Sequence, residues 1–339
     1  MQSMKKANYG FDTEHDGDIV ALGELLVDFV PARVDMRLCE QGEIIKTASG
    51  SAGIFACAAA NFAGHSSFLG RLGRDALSGM VFDVVSAQKV DLSHAVLSEQ
   101  GQIGLAFIEY LPTGRNYQYY RENSVGSQYS AEMVDAAYLS NAFALHYPGM
   151  LLELSVPMRT ACERAVQIAR ENHVLVSFDP NIRKEMMRSE EARARLHAAL
   201  CNSDIIAPTL EEGRFITGKE DIGDVLRALH AMGPQVVALT RDKDGAVLSA
   251  SGKVVFAGGI DVAAIDPTGA GDTFAAALVY CVQKDYPIER AALFCNSAGT
   301  LATMKRGAIG MALPSLAAVE ALMATNPCTL DIYALEELK

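Results

Sequence analysis

The sequence predicts an α/β fold, a mainly parallel central sheet flanked by helices with a small, separate β-sheet attached. Three observations carry this. From about residue 140 onward, short apolar runs rich in β-branched residues alternate with helical patterns. Polar residues collect directly after those runs, where an open α/β sheet binds its ligands. Two segments, 29–47 and 101–125, instead alternate apolar and polar residues with no helix between them.

Taken in order, residues 1–17 lack the apolar core of a signal peptide and are polar enough to form a disordered leader. The core is assigned to 18–28, 48–100 and 126–325, and 326–339 form a C-terminal tail. AFALHY, HVLVSFD, DIIAP and QVVALT read as strands; SVPMRTACERAVQIAREN and SEEARARLHAAL read as amphipathic helices. Residues 29–47 and 101–125, with GLAFIEY and NYQYYR, read as antiparallel strands standing away from the main sheet, a lid or dimerisation surface.

The 339 residues allow one large core with a minor appendage. A net charge of −12 argues against a nucleic-acid surface, which needs clustered Lys and Arg. No stretch approaches the ~20 apolar residues of a membrane span. The seven cysteines lack CxxC spacing and mostly sit in apolar stretches, so reduced core thiols and a cytoplasmic location are expected.

The strongest signal is Asp266-Pro267-Thr268-Gly269-Ala270-Gly271-Asp272-Thr273-Phe274, followed by AAALVYCV. The glycines permit a tight turn whose N–H groups converge, and the helix starting there points its positive end at the same spot. Asp272 would compete with an anion for those donors, unless it stands beside a phosphoryl group and accepts a proton from an attacking hydroxyl. The plainer reading is a helix start capped by Thr268 or Asp272.

DPTGAGDTF resembles the C-terminal signature of the ribokinase-like (PfkB) sugar kinase family, and the resemblance runs from about Val20 to Ser315. Gly23-Glu24-Leu25-Leu26-Val27-Asp28 is similar to the first strand and sugar-binding Asp of its fructokinase branch. Ser49-Gly50-Ser51 and Gly70-Arg71-Leu72-Gly73-Arg74-Asp75 resemble its glycine-rich signature. Phe178-Asp179-Pro180-Asn181-Ile182-Arg183 resembles a segment of fructokinases and 2-keto-3-deoxygluconate kinases.

The resemblance implies a core with a β-sheet lid, a homodimer through the lid, and ATP with Mg²⁺. By position, Asp272 would be the base and the backbone of Gly269, Ala270 and Gly271 the anion hole. Gly50 and Ser51 would meet the sugar, Glu212 would act on Mg²⁺ through water, and Asn296 would lie beside the adenine. Asp266 and Thr268 correspond to positions that bind a monovalent cation, such as K⁺, in part of the family. Thr240 and Gly245, at the exit of QVVALT, are further nucleotide-side candidates.

Two positions depart from the family pattern: Ile54 stands where an Asn normally bonds the sugar, and Thr209 replaces the Asn that precedes Glu212 by three. Asp28 is either a sugar ligand or the polar end of a strand. Tyr120 and Arg121 either form an exposed edge strand or offer an Arg fork to the substrate. Arg183 either meets substrate or pairs with Asp179. His146 is expected to be a core residue.

The expected activity is transfer of the ATP γ-phosphoryl group to a sugar hydroxyl, with a fructokinase ranked before a 2-keto-3-deoxygluconate kinase and a nucleoside kinase. A non-catalytic sugar sensor is the rival from another class. A nicotinamide dehydrogenase is weaker, because no GxGxxG follows the first strand.

Overall fold

The structure, a computed structural model, describes all residues except 1–3, 14, 34–35, 112–113, 183–186, 188, 311 and 339. The chain opens with a hairpin, β1 (Met4–Lys6) and β2 (Phe11–Thr13), before the first core strand β3 (Ile19–Leu22). It leaves the core for β4 (Leu26–Pro31) and β5 (Ile44–Ser49), then returns through α1 (Ser51–Ala63), β6 (Ser66–Leu69), β7 (Arg71–Leu72), α2 (Ala76–Ala87), β8 (Val90–Asp91) and β9 (Val96–Leu97). A second excursion forms β10 (Gly104–Leu111) and β11 (Gly114–Tyr120).

Strands and helices then alternate: α3 (Ala136–Leu139), β12 (Ala144–Pro148), α4 (Val156–Glu171), β13 (Leu175–Asp179), α5 (Glu190–Cys201), β14 (Ile205–Ile206), α6 (Leu210–Thr217), α7 (Ile222–Ala231) and β15 (Val236–Thr240). The hairpin β16 (Ala246–Ala250) and β17 (Lys253–Ala257) precedes α8 (Ala270–Gln283), α9 (Ile288–Ala302), α10 (Leu316–Thr325) and β18 (Leu330–Ala334).

The main sheet runs β18-β17-β16-β15-β14-β13-β12-β3-β6-β8. It is parallel from β15 to β8 and antiparallel from β15 to β18. Its parallel strands are buried on both faces, which explains their unbroken apolar runs. The predicted strands and amphipathic helices of 140–240 all form, with boundaries displaced by at most two residues.

The second sheet runs β11-β10-β4-β5. The expectation of purely antiparallel strands is corrected here, because β10 lies parallel to β4 with Ala106 opposite Asp28. The boundary also moves: Leu26 to Asp28 and Ala48 to Ser49 belong to this lid rather than to the core. The core strand ends at Leu22, and Asp28 rides on the lid.

The expectation of a disordered leader is corrected over the described residues 4–13. Tyr9 and Phe11 are 1% and 5% exposed within the main apolar core, and Lys6 Nζ donates to the Gln283 carbonyl at 2.6 Å. Two aromatic anchors outweigh the polarity of their neighbours. The C-terminal tail contributes β18, an edge strand in register with β17.

Two helices run through the middle of the core. α1 and α8 are rich in alanine and buried nearly all round, which lets their backbones approach closely. Both begin at the same edge, α1 after Gly50 and α8 after Gly269. Gly50 has φ 109° and a Cβ there would stand 2.4 Å from the Glu24 carbonyl oxygen, so only glycine fits. His146 is a core residue, stacked on Phe55 with ring centroids 3.6 Å apart and its Nδ1 2.9 Å from Ser177 Oγ.

Candidate active site

A cleft of about 280 Å³ opens between the lid and the carboxyl edge of the parallel strands. The strand ends and the loops beyond them supply its floor: Met150 after β12, Asp179 and Asn181 at the end of β13, Thr209 and Glu212 after β14, and Thr240 from β15. The lid supplies Asp28, Arg115, Tyr117 and Tyr119, and the two helix starts supply Ser51, Ile54, Gly269, Gly271 and Asp272.

Gly269 precedes α8 in the left-handed region, φ 78° and ψ 2°, the conformation that glycine accepts without strain. The Ala270 amide closes the turn on the Pro267 carbonyl at 3.3 Å. The next amides along the chain have no carbonyl four residues back within the helix, and a Cβ at Gly271 would meet nothing within 4 Å. The open helix end, with its partial positive charge, therefore faces the cleft. Asp272 stands in the first turn, and Ser51, the first residue of α1, donates its hydroxyl to Asp272 Oδ1. Asn181 Nδ2 reaches Ser51 Oγ at 3.4 Å, completing a polar row on the cleft floor.

Asp28 faces this row from the lid and is 4% exposed. Burial drives its pKa up to about 6; Asp266 adds to the rise, while Ser49 and Arg115 oppose it. A carboxylate this strained by desolvation gains from any hydroxyl that donates to it.

Glu212 is held by three donors: Ile182 N–H at 2.6 Å on one oxygen, and Thr209 N–H and Oγ1 at 2.8 and 3.0 Å on the other. The Thr209 hydroxyl accepts from Glu212 N–H in return, a reciprocal helix cap. Thr209 thus serves the fold as the cap of α6. Among the described residues no cluster of three His, Cys, Asp or Glu could cage a metal. A fixed carboxylate beside an anion hole fits Mg²⁺ carried in with a nucleotide and contacted through water.

Asp266 is 2% exposed and accepts from Thr268 N–H (3.0 Å), Thr268 Oγ1 (2.7 Å), Gly307 N–H (3.3 Å) and the Tyr110 hydroxyl (3.4 Å). Arg115 donates to Thr268 Oγ1 at 2.6 Å and lies 3.8 Å from Asp266. These contacts tie Asp266 and Thr268 to the lid and to the glycine turn.

Other residues singled out from the sequence lie elsewhere. On β11 the side chains of Arg115, Tyr117 and Tyr119 face the cleft; Tyr120, one position on, packs edge-to-face on Phe107 and is 57% exposed. Arg121 lies over the Tyr119 ring, 4.3 Å from its centroid, and pairs at 3.5 Å with buried Glu24. It positions Tyr119 rather than entering the cleft. Arg183 lies outside the described residues.

Asn296 is buried and donates to the Gly258 carbonyl at 2.7 Å. At Gly245, with φ 92°, a Cβ would stand 2.6 Å from the Gly258 carbonyl carbon. Both therefore shape the segment leading to Asp266 and do not line the cleft. Sequence reasoning missed Arg115, Asn181 and Tyr117. The period of two along RNYQYYR carried the signal for Arg115 and Tyr117, since it sets 115, 117 and 119 on one face.

A larger groove of about 410 Å³ lies between α4 and α5. Its two arginines are already paired, Arg170 with Asp204 and Arg195 with Glu153, and no helix N-terminus is among its lining residues. The lid cleft, by contrast, combines a helix N-terminus with carboxylates at the strand ends.

A family model described as pfkB family carbohydrate kinase matches residues 16–316. The chain is 30% identical over 301 residues to Fructokinase-1 of Zea mays, covering 86% of this chain and 93% of the relative. A putative Ribokinase II from E. coli, solved in complex with ATP and Mg²⁺, superposes with a TM-score of 0.86 at 26% identity, covering 91% of this chain and 99% of that one. A fructokinase from Vibrio cholerae O395, solved with fructose, ADP and calcium ion bound, superposes at 0.77 and 25% identity, covering 90% and 98%. The match over nearly the whole length, together with the cleft it encloses, assigns this chain to the pfkB family of carbohydrate kinases.

Proposed function

We propose that this sugar kinase phosphorylates a neutral ketohexose, fructose, from MgATP, with Asp272 as the base. The observation that carries the catalytic reading is Asp272 itself, held by Ser51 at the mouth of an open helix N-terminus. An acid in the first helical turn is by itself favourable for the helix; what marks Asp272 is that it lines the cleft and takes the Ser51 hydroxyl across from α1, where a proton acceptor is useful beside a phosphoryl group.

In this mechanism Asp28 and Asn181 hold sugar hydroxyls so that one points at Asp272. Asp272 takes its proton as the oxygen attacks the γ-phosphorus in line, and the bond from that phosphorus to the bridging oxygen breaks to release ADP. The amides at the start of α8 stabilise charge on the phosphoryl oxygens. Mg²⁺ carried in with the nucleotide would supply charge neutralisation, and Glu212 would hold it through water. Thr240 lines the nucleotide side, Asn296 acts indirectly through its bond to the Gly258 carbonyl, and Gly245 by leaving room for the backbone of 257–258. The lid, brought down, excludes water that would otherwise accept the phosphoryl group.

The neutral sugar is preferred on charge. Among the described residues lining the cleft, Asp28, Asp179, Glu212 and Asp272 face a single cation, Arg115, which is already engaged by Thr268. A sugar acid would bring a further negative charge into this field. The sugar-acid reading rests on Arg121, whose guanidinium is committed to Glu24, and on Arg183, which lies outside the described residues. ADP release with MgATP across fructose, 2-keto-3-deoxygluconate, ribose and nucleosides tests the assignment; preference for the sugar acid would overturn it.

The same reading makes the protein a cytoplasmic homodimer. Phe29, Phe107, Tyr120 and Ile44 lie on the lid face turned away from the cleft, with Phe29 stacked on Phe107 at 4.9 Å. An apolar sheet face of this kind suits a second copy. Seven free thiols, four of them buried, suit a reducing compartment. No described helix is long and apolar enough to cross a membrane.

A further inference from the structure

Arg115 is the one cation among the described residues lining the cleft. It sits near the tip of the β10–β11 hairpin, directly opposite Tyr110, so both side chains leave the same face of the lid. Both reach one carboxylate of the core. The Tyr110 hydroxyl lies 3.4 Å from one Asp266 oxygen; Arg115 Nη1 lies 3.8 Å from the other and donates to Thr268 Oγ1 at 2.6 Å. The segment that gives Gly307 N–H to Asp266 also ties down the lid, because Arg306 Nη1 donates to the Ala32 carbonyl at 3.2 Å. Lid and core therefore meet around Asp266.

Asp266 and Thr268 immediately precede the glycine turn. Thr268 binds Asp266 through its N–H and its hydroxyl, and the next residue is the left-handed Gly269 that aims the α8 amides. A buried carboxylate needs a compensating charge or a full set of donors. Raising the lid would remove both Arg115 and Tyr110 from Asp266.

We propose that Arg115 is a positioning residue that couples lid closure to the geometry of the phosphate-binding turn. With the lid down, its guanidinium holds Thr268 and compensates Asp266, fixing the amides at the start of α8. With the lid up, the turn loses that restraint, so the site becomes competent for transfer only once it has been closed against water. Arg115 then contributes through Thr268 and makes no bond of its own to the sugar. The inference rests on the sugar-kinase reading.

The test compares wild type, Arg115→Met and Arg115→Lys by steady-state kinetics with MgATP and fructose, and by amide hydrogen exchange in the presence of MgADP. A displaced turn is expected to lower kcat roughly 10- to 100-fold in the Met variant, as small misplacements of reacting groups do. The KM for sugar should change less than about threefold, with partial recovery in the Lys variant, which keeps a charge without the fork. Exchange should quicken in the Met variant both in lid strands β10 and β11 and at residues 268–273. A raised KM with unchanged kcat would overturn the proposal by making Arg115 a sugar ligand. Faster exchange in the lid alone, or in neither segment, would overturn the coupling. If wild type phosphorylates no sugar in the panel, the functional reading fails by itself, and the exchange comparison still decides the coupling.

Discussion

Ser51, the first residue of α1, donates its hydroxyl to Asp272 in the first turn of α8. The two central helices are thus joined at the group proposed to receive the sugar's proton. Small residues along both helices permit this: Gly269 lies so close to α1 that a Cβ on it would stand 3.0 Å from Ile54 Cγ2.

Asp28 predicts a pH dependence. Its pKa is raised by burial to about 6, so it carries a proton in the folded protein at pH values where an unfolded Asp would not. A raised carboxyl pKa contributes stability at low pH that is lost as pH rises through about 6. Asp28→Asn removes that loss. The variant should exceed wild type by roughly 1–3 kcal/mol at pH 8 and converge with it near pH 4, in thermal or denaturant melts. The sugar KM of wild type should rise as pH falls below about 6, and the variant should show a raised KM without that dependence.

Arg121 and Glu24 should behave as a coupled pair. Glu24 is 4% exposed, and its pKa is driven up by burial and pulled back by Arg121 and Ser124. Arg121→Met strands the carboxyl and should destabilise by about 3 kcal/mol. Adding Glu24→Gln should recover more than half of that loss, giving a non-additive cycle in urea unfolding. Additive losses would mean that the pair is not a unit.

Asn181 lines the same cleft as Ile54. Ile54 is 3% exposed, packs on the glycine turn and offers no hydrogen bond, whereas Asn181 Nδ2 lies 3.4 Å from Ser51 Oγ on the cleft floor. If Asn181 gives the sugar the amide that Ile54 cannot, Asn181→Ala should raise the sugar KM about tenfold, the equivalent of one hydrogen bond. The KM for ATP should be unchanged.

The apolar outer face of the lid should hold a second subunit. Tyr120→Glu places a charge beside Phe107 on that face and should convert a dimer to monomers in sedimentation velocity. A wild-type monomer at tens of micromolar would contradict the interface.

The fold and the site are unevenly legible in the sequence, for physical reasons. The main sheet can be read because parallel strands buried on both sides leave unbroken apolar runs, as in 175–179 and 236–240. The turn at 266–273 can be read because glycine accepts the left-handed φ of 269 without strain and because the run DPTGAGDTF matches a family signature as a whole. The lid is harder. Asp28 reads as the end of the first strand, yet the chain changes sheets between Leu22 and Leu26 with only Gly23, Glu24 and Leu25 to mark it. Tyr120 and Arg121 stand out as a motif, but alternation along the strand turns Tyr120 outward and leaves Arg115, Tyr117 and Tyr119 inside. The charges of the leader suggest disorder, while Tyr9 and Phe11 decide where it packs.

The central claim is that Asp272 is the base of a sugar kinase, and the most direct measurement is sugar-dependent ADP release by wild type and Asp272→Asn with MgATP and fructose. The account predicts turnover that requires the sugar and falls by roughly 10²- to 10⁴-fold in the variant, with the melting temperature and nucleotide affinity nearly unchanged. A variant that retains wild-type turnover would contradict it.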